Sequence, residues 1–232
     1  MNQDIPWKRF SIEAIVIVFS ILLAFAIDAG WQYRLENKTT QSNIEALKAD
    51  SQRNLSQLDR TINRVERTLQ SNISLKNYML NPETVTQAEL IDAFGRFTGI
   101  TQFYADTKTI DQLVYSGEMG LLNNQIQNAI SVFNSRLQLA KDIEQVALDI
   151  RHNSVIPAGI IAGWLGTALH LLQFREEDGL KPKYPVDFSS LQDNKEFEQI
   201  LFLHMVVQSQ YLSRFLSLRE SLKDLIDTLE DT

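Results

Sequence analysis

One stretch limits the folds open to this chain more than any other: FSIEAIVIVFSILLAFAIDAGW, from Phe10 to Trp31. Between Glu13 and Asp28 lie fourteen residues, and Ser20 alone among them is polar. A helix rises about 1.5 Å per residue, so the stretch would be about 33 Å long, close to one bilayer core. It reads as a single transmembrane helix. Trp7 precedes it, and Trp31 and Tyr33 close it, as aromatic rings do at both headgroup levels; Lys8 and Arg9 complete the interface anchors. The run is longer than a signal-peptide core, and no small-residue cleavage site follows it before the charged segment. The helix is therefore expected to stay attached.

Ionisable residues inside a span usually face protein or water. Glu13 and Asp28 are fifteen residues apart, which at 100° per residue puts them about 60° apart around the helix. Ser20 and Ala24 fall on the same side. Two readings of this face stand open. In one, both acids reach the headgroups, with Arg9 one turn from Glu13 as its partner. In the other, Glu13, Ser20 and Asp28 line a helix–helix interface or a pore in an oligomer. Basic residues flank both ends, Lys8 and Arg9 in front and Arg34 and Lys38 behind, so charge barely sets the orientation. A short polar head, residues 1–9, is retained more easily than the rest of the chain. The prediction is a cytoplasmic N-terminus and an extracytoplasmic body.

The remainder predicts helices. From Trp31 to Asn81 there is neither glycine, except at Gly30 just before it, nor proline. Apolar residues recur at Ile44, Leu47, Leu55, Leu58, Ile62, Val65, Leu69 and Ile73. The spacing of 3 and 4 from Leu55 to Leu69 marks a packed seam, and the eleven-residue step from Ile44 to Leu55 predicts a local phase shift. The span, residues 10–33, is thus expected to run on as a stalk, residues 34–81, in one helix of about 105 Å. Asn81-Pro82 ends it. Thr86 and Glu89 form a capping-box pattern for a short helix to Phe97. A second short helix covers Thr109 to Tyr115 and stops at Gly117. A longer one runs from about Asn123 to Arg151, with the stripe Ile126, Ile130, Phe133, Leu137, Ala140, Ile143 and Ala147.

Val155 to Phe174 is apolar enough for a second span, and Gly159 and Gly163 form a G-x-x-x-G pair. Pro157 would equally suit the first turn of a soluble helix capped by Asn153 or Ser154. A second crossing would carry the C-terminal helix away from the stalk, so a buried or surface-lying helix is favoured. The last helix, residues 194–230, carries Phe197, Leu201, His204, Gln208, Tyr211, Phe215, Leu218, Leu222, Leu225 and Leu229 in an unbroken 4-3-4-3 spacing. His204 and Gln208 are polar at seam positions, as partner-bonded residues that set register are. The expected fold is all-α: a transmembrane helix continuing into a long helix, packed as an elongated antiparallel coiled-coil or helical bundle by residues 82–232.

Composition narrows the chemistry. The net charge is −7, with no basic cluster, which argues against nucleic acid. There is no cysteine, hence no disulfide framework and no thiolate metal site. His152, His170 and His204 lie in separate elements and match no metalloprotease spacing. No phosphate-binding loop or nucleophile elbow is present. The chain is not expected to be an enzyme or to hold a cofactor or metal.

Two segments carry a family likeness: E-A-I-V-I-V-F-S-I-L-L-A-F-A-I-D-A-G-W-Q from Glu13 to Gln32, and T-I-D-Q-L-V-Y-S-G-E-M-G-L-L-N-N-Q-I-Q-N-A-I from Thr109 to Ile130. In the second, Leu113, Ser116, Gly117, Leu121, Leu122 and Asn123 carry the motif, and the ending from Asp193 onward is similar too. The chain resembles a bacterial membrane-anchored family catalogued as a domain of unknown function (number 6090). The resemblance implies one N-terminal span and a helical body, and brings no activity with it. The predicted function is that of a scaffold or sensor in the bacterial inner membrane, its body periplasmic. It would touch the lipid bilayer and bind its own kind or another membrane or periplasmic protein. The alternative is an oligomeric channel lined by the Glu13, Ser20 and Asp28 face.

Overall fold

A computed structural model describes residues 7–97, 99–157 and 188–231, with the side chains of 7–15 and 190 left aside. Among the described residues the chain is all-α, with five α-helices and no strand. α1 spans Trp7–Leu80, α2 Gln87–Phe97, α3 Lys108–Ser116, α4 Asn124–Ile150 and α5 Lys195–Glu230.

Local chemistry starts and stops these helices. α1 runs 74 residues without a break, about 110 Å, and ends where Asn81 meets Pro82. The Thr86 Oγ1 accepts from the Glu89 N–H while Glu89 Oε2 accepts from the Thr86 N–H at 2.8 Å, a reciprocal cap on α2. The hydrogen bonds from Thr86 hold the Glu89 carboxyl below its usual range. Gly117 stops α3 in the left-handed region, φ 77°, where a side chain would be strained. Asn123 and Asn194 cap α4 and α5, accepting from the Ile126 and Phe197 N–H groups at 2.8 and 2.9 Å.

α5 is the central element: it packs against α1 on one side and α4 on the other. It runs antiparallel to α1, as the ion pairs Lys48–Glu230 and Asp59–Arg219 require, at 2.9 and 2.8 Å. All ten seam residues read from its sequence are buried. The α1 seam differs from expectation. Of the expected residues Ile44, Leu47, Leu58, Ile62 and Val65 are buried, but the seam itself runs Ile44, Leu47, Ser51, Asn54, Leu58, Thr61, Val65, Thr68, Asn72 and Leu75, an unbroken 3-4 alternation, with Asp50, Ile62 and Ser71 buried beside it. There is no phase shift. The eleven-residue gap contains buried Ser51 and Asn54, while Leu55, Leu69 and Ile73 sit half-buried at the edge. On α4, likewise, Glu144 takes the buried place and Ile143 its half-buried neighbour.

The polar seam residues have identifiable partners. Thr61, Thr68 and Ser71 donate to backbone carbonyls one turn back in α1. Asn54 clamps the segment between α2 and α3: its Nδ2 donates to the Asp106 carbonyl at 2.9 Å, and its Oδ1 accepts from the Asp106 N–H at 2.8 Å. Asp50 beside it accepts from Thr109 and pairs with Arg53. Asn54→Ala should lower stability by about 2 kcal/mol, since two hydrogen bonds to the Asp106 backbone, worth about 1 kcal/mol each, are lost. Urea unfolding would show it, with exposed Asn63→Ala unchanged as the control; equal effects would refute the clamp.

α4 does not end cleanly. A π turn, Arg151–Val155, carries the helical backbone on through Pro157. Asn153 and Ser154 lie within that turn and do not cap a new helix. A wider turn there eases the clash of the proline ring with the carbonyl four residues back. The expected segment Val155 to Phe174, including Gly159, Gly163 and His170, lies almost wholly outside the described residues. Its described flanks, Val155 and Phe188, both border the same apolar cluster.

Candidate functional site: a polar layer across the bundle

Two apolar clusters fill the interior. One, around Leu58, Phe133, Phe215 and Leu222, lies toward the apolar end of α1. The other, around Leu75, Phe94, Phe97 and Phe197, lies at the far end. Between them the seams turn polar.

Asn72 of α1 and His204 of α5 are both fully buried, and Gln208, one turn along, is 1% exposed. Asn72 Nδ2 lies 3.1 Å from His204 Nδ1, and Gln208 Nε2 lies 3.2 Å from His204 Nε2. A neutral imidazole has one N–H and one lone pair, so it cannot accept from two amides. The Asn72 Oδ1 is meanwhile buried without a partner. Turning the Asn72 amide over resolves the first conflict: Oδ1 then accepts from the Nδ1–H, Nε2 accepts from Gln208, and the amide nitrogen takes the place where Oδ1 stood. The Phe97 ring stands edge-to-face with the imidazole, centroids 5.1 Å apart. Burial pushes the His204 pKa down to about 4, so the ring is neutral near pH 7.

One step toward the larger cluster, Tyr211 donates its hydroxyl to the Thr101 carbonyl. The buried Glu144 of α4 lies beside it; burial first, then this carboxylate, drives the Tyr211 pKa upward. The phenol stays protonated. The layer thus ties α1, α4, α5 and the segment after α2.

This arrangement selects register. The seams repeat every seven residues, so sliding α5 by one heptad would set His204 against Val65 or Met79, and Asn72 against Phe197 or Tyr211. Each buried polar group left unpaired costs about 1–3 kcal/mol. Buried polar residues at seam positions are best attested in this role. His204 and Gln208 were legible in the sequence; Asn72, Glu144 and Tyr211 as their polar partners were not. The one available signal was that Asn72 keeps heptad phase with Leu58 and Val65.

The remaining singled-out residues lie far from this layer. Among the described residues, α1 is exposed throughout from Val16 to Lys38. Ser20 Oγ donates to the Val16 carbonyl at 2.8 Å, and Asp28 Oδ2 accepts from Gln32 at 3.1 Å. Both therefore meet their needs within their own helix. Trp31 and Tyr33 are exposed. The side chains of Trp7, Lys8, Arg9 and Glu13 lie outside the described residues. Among the described residues no three His, Asp or Glu side chains cluster to hold a metal ion. No protein-family model matches the chain, and no curated protein or solved structure proves similar to it.

Proposed function

We propose that this chain is a single-pass, membrane-anchored helical scaffold or sensor that acts through protein contacts and not by catalysis. One observation carries the reading. α1 is long and apolar enough to cross a bilayer, and its apolar window is 0% buried, so the bundle itself leaves that surface without a partner. Val16, Phe19, Leu22 and Phe25 are each more than half exposed. A soluble monomer rarely shows so large an apolar surface to water. A collar of about 16 Å, Tyr33 to Ile44, separates the anchor from the first buried residue. The inner bacterial membrane, with the N-terminus cytoplasmic and the bundle periplasmic, is the placement we infer. Membership of the family catalogued as domain of unknown function 6090 belongs to the same proposal and rests on the quoted motifs.

The own-helix hydrogen bonds of Ser20 and Asp28 support an anchor over a pore. The sealed polar layer likewise supports contact over catalysis, since no reactant reaches a fully buried His204. Sedimentation tests the core of the proposal: the full-length chain should remain in the membrane pellet after an alkaline carbonate wash and leave it only with detergent. Recovery in the supernatant would end it. Reporter fusions to the C-terminus test the sidedness separately.

A further inference from the structure

α4 carries a second heptad stripe, one residue out of step with the buried one and so about 100° around the helix. Its positions are Gln125, Ala129, Val132, Arg136, Leu139, Ile143, Val146 and Ile150. Val132, Leu139 and Val146 are 41%, 37% and 45% exposed, large fractions for aliphatic side chains in a helix whose other face is packed. Ala129 and Ile143 are half-buried and touch the edge of the larger apolar cluster. The stripe is therefore the open side of the core. Shallow grooves continue it onto α5, one reaching Gln210 and Ser213, the other Ser221 and Asp224.

We propose that this face of α4 pairs with the same face of a second copy of the chain, the two α4 helices running parallel. This rests on the anchored reading above, because copies held in one membrane by α1 share their orientation. Three features select this occupant. A 3.5-residue repeat is matched by a helix with the same repeat. Written as a seam, the stripe has Ala129, Arg136, Ile143 and Ile150 at one set of positions and Val132, Leu139 and Val146 at the other. Ile143 and Ile150 at the first set with Leu139 at the second match the pattern of two parallel strands, Val132 and Val146 depart from it, and the single charged residue at the first set, Arg136, specifies register and oligomer state at a cost in stability. The third feature is area. From Gln125 to Ile150 the stripe is about 38 Å long and about 10 Å wide, giving roughly 800 Å² over both copies. That is below the size of a stable soluble interface. Confinement of both copies to one membrane raises their effective concentration and makes a contact of this size sufficient.

The chain has no cysteine, so single substitutions report without background. The full-length chain in native membranes, carrying Val132→Cys, Leu139→Cys or Val146→Cys, is oxidised and compared with Asn134→Cys on the opposite, solvent side of α4. Parallel pairing predicts dimer at all three positions, at least tenfold above Asn134→Cys. Adding Val132→Asp and Val146→Asp to the Leu139→Cys chain should return it to the control level. Cross-linking at Leu139→Cys alone would mean an antiparallel pair and overturn the proposal, as would three positions no different from the control. Presence of every variant in the membrane pellet separates these outcomes from failure of the anchor.

Discussion

Replacing Phe19 and Leu22 together by Asp is expected to release the protein from membranes while leaving the bundle's melting unchanged. Both residues lie near the middle of the apolar run, 66% and 60% exposed, with no neighbour in the fold. A carboxylate at the centre of a span costs about 2.5–3.5 kcal/mol on insertion, and the lost apolar side chain adds about 0.5. The pair therefore opposes insertion by about 6–8 kcal/mol, at least 10⁴-fold in partition. The bundle gains and loses nothing, because its first buried residue is Ile44. Carbonate-washed pellets report the first effect, and urea unfolding in detergent followed by circular dichroism the second. A variant that stays in the pellet would sink the anchor. A variant whose bundle is destabilised by more than about 1 kcal/mol would show that this part of α1 packs on the body, since isolated surface changes stay within about 0.5 kcal/mol.

The second large effect is a loss of stability in mild acid. His204 is neutral in the fold, with a pKa lowered to about 4 from 6.5. Above pH 6.5 neither state binds a proton at this ring, and its contribution is constant. Below pH 6.5 the unfolded chain takes up a proton that the fold refuses, so stability falls as pH falls, until about pH 4, where the fold binds it too. Each unit is about 1.4 kcal/mol, so the protein should lose about 2 kcal/mol between pH 7.5 and pH 5 through this residue. His204→Leu should be less stable than the parent at pH 7.5 by about 1–3 kcal/mol, because Asn72 and Gln208 lose their shared partner. It should also lack the parent's slope from pH 7.5 to 5. Urea midpoints at three pH values in that range measure both. Parallel slopes in parent and variant would show that the imidazole is not held neutral by burial.

Much of the architecture was readable before folding, for a physical reason. Helix ends are local: Asn123, Asn194, the Thr86–Glu89 pair, Gly117 and Asn81-Pro82 satisfy or forbid backbone hydrogen bonds within a turn or two of themselves. The α5 seam was equally plain, since eight of its ten seam residues are apolar and one of the polar pair is the one-turn neighbour of the other. The α1 seam was not. Half of its ten seam positions are Ser, Thr or Asn, and a pattern read from apolar residues alone drifts toward the half-buried Leu55, Leu69 and Ile73 instead. A small polar side chain that bonds back to its own helix is cheap to bury, and composition does not reveal which ones do so.

The chain on its own determined an apolar rod, a helical body, most of the described helix ends though not that of α4, and the face that α5 buries, because all of these follow from periodicity and from bonds closed within a few residues. Folding alone decided that Asn72 meets His204 across 132 positions of sequence, that Glu144 lies beside Tyr211, and that α4 keeps a second apolar face in the open. Those outcomes depend on the antiparallel register of α1 and α5, which is a sum over the whole length of both helices and belongs to no single stretch of either.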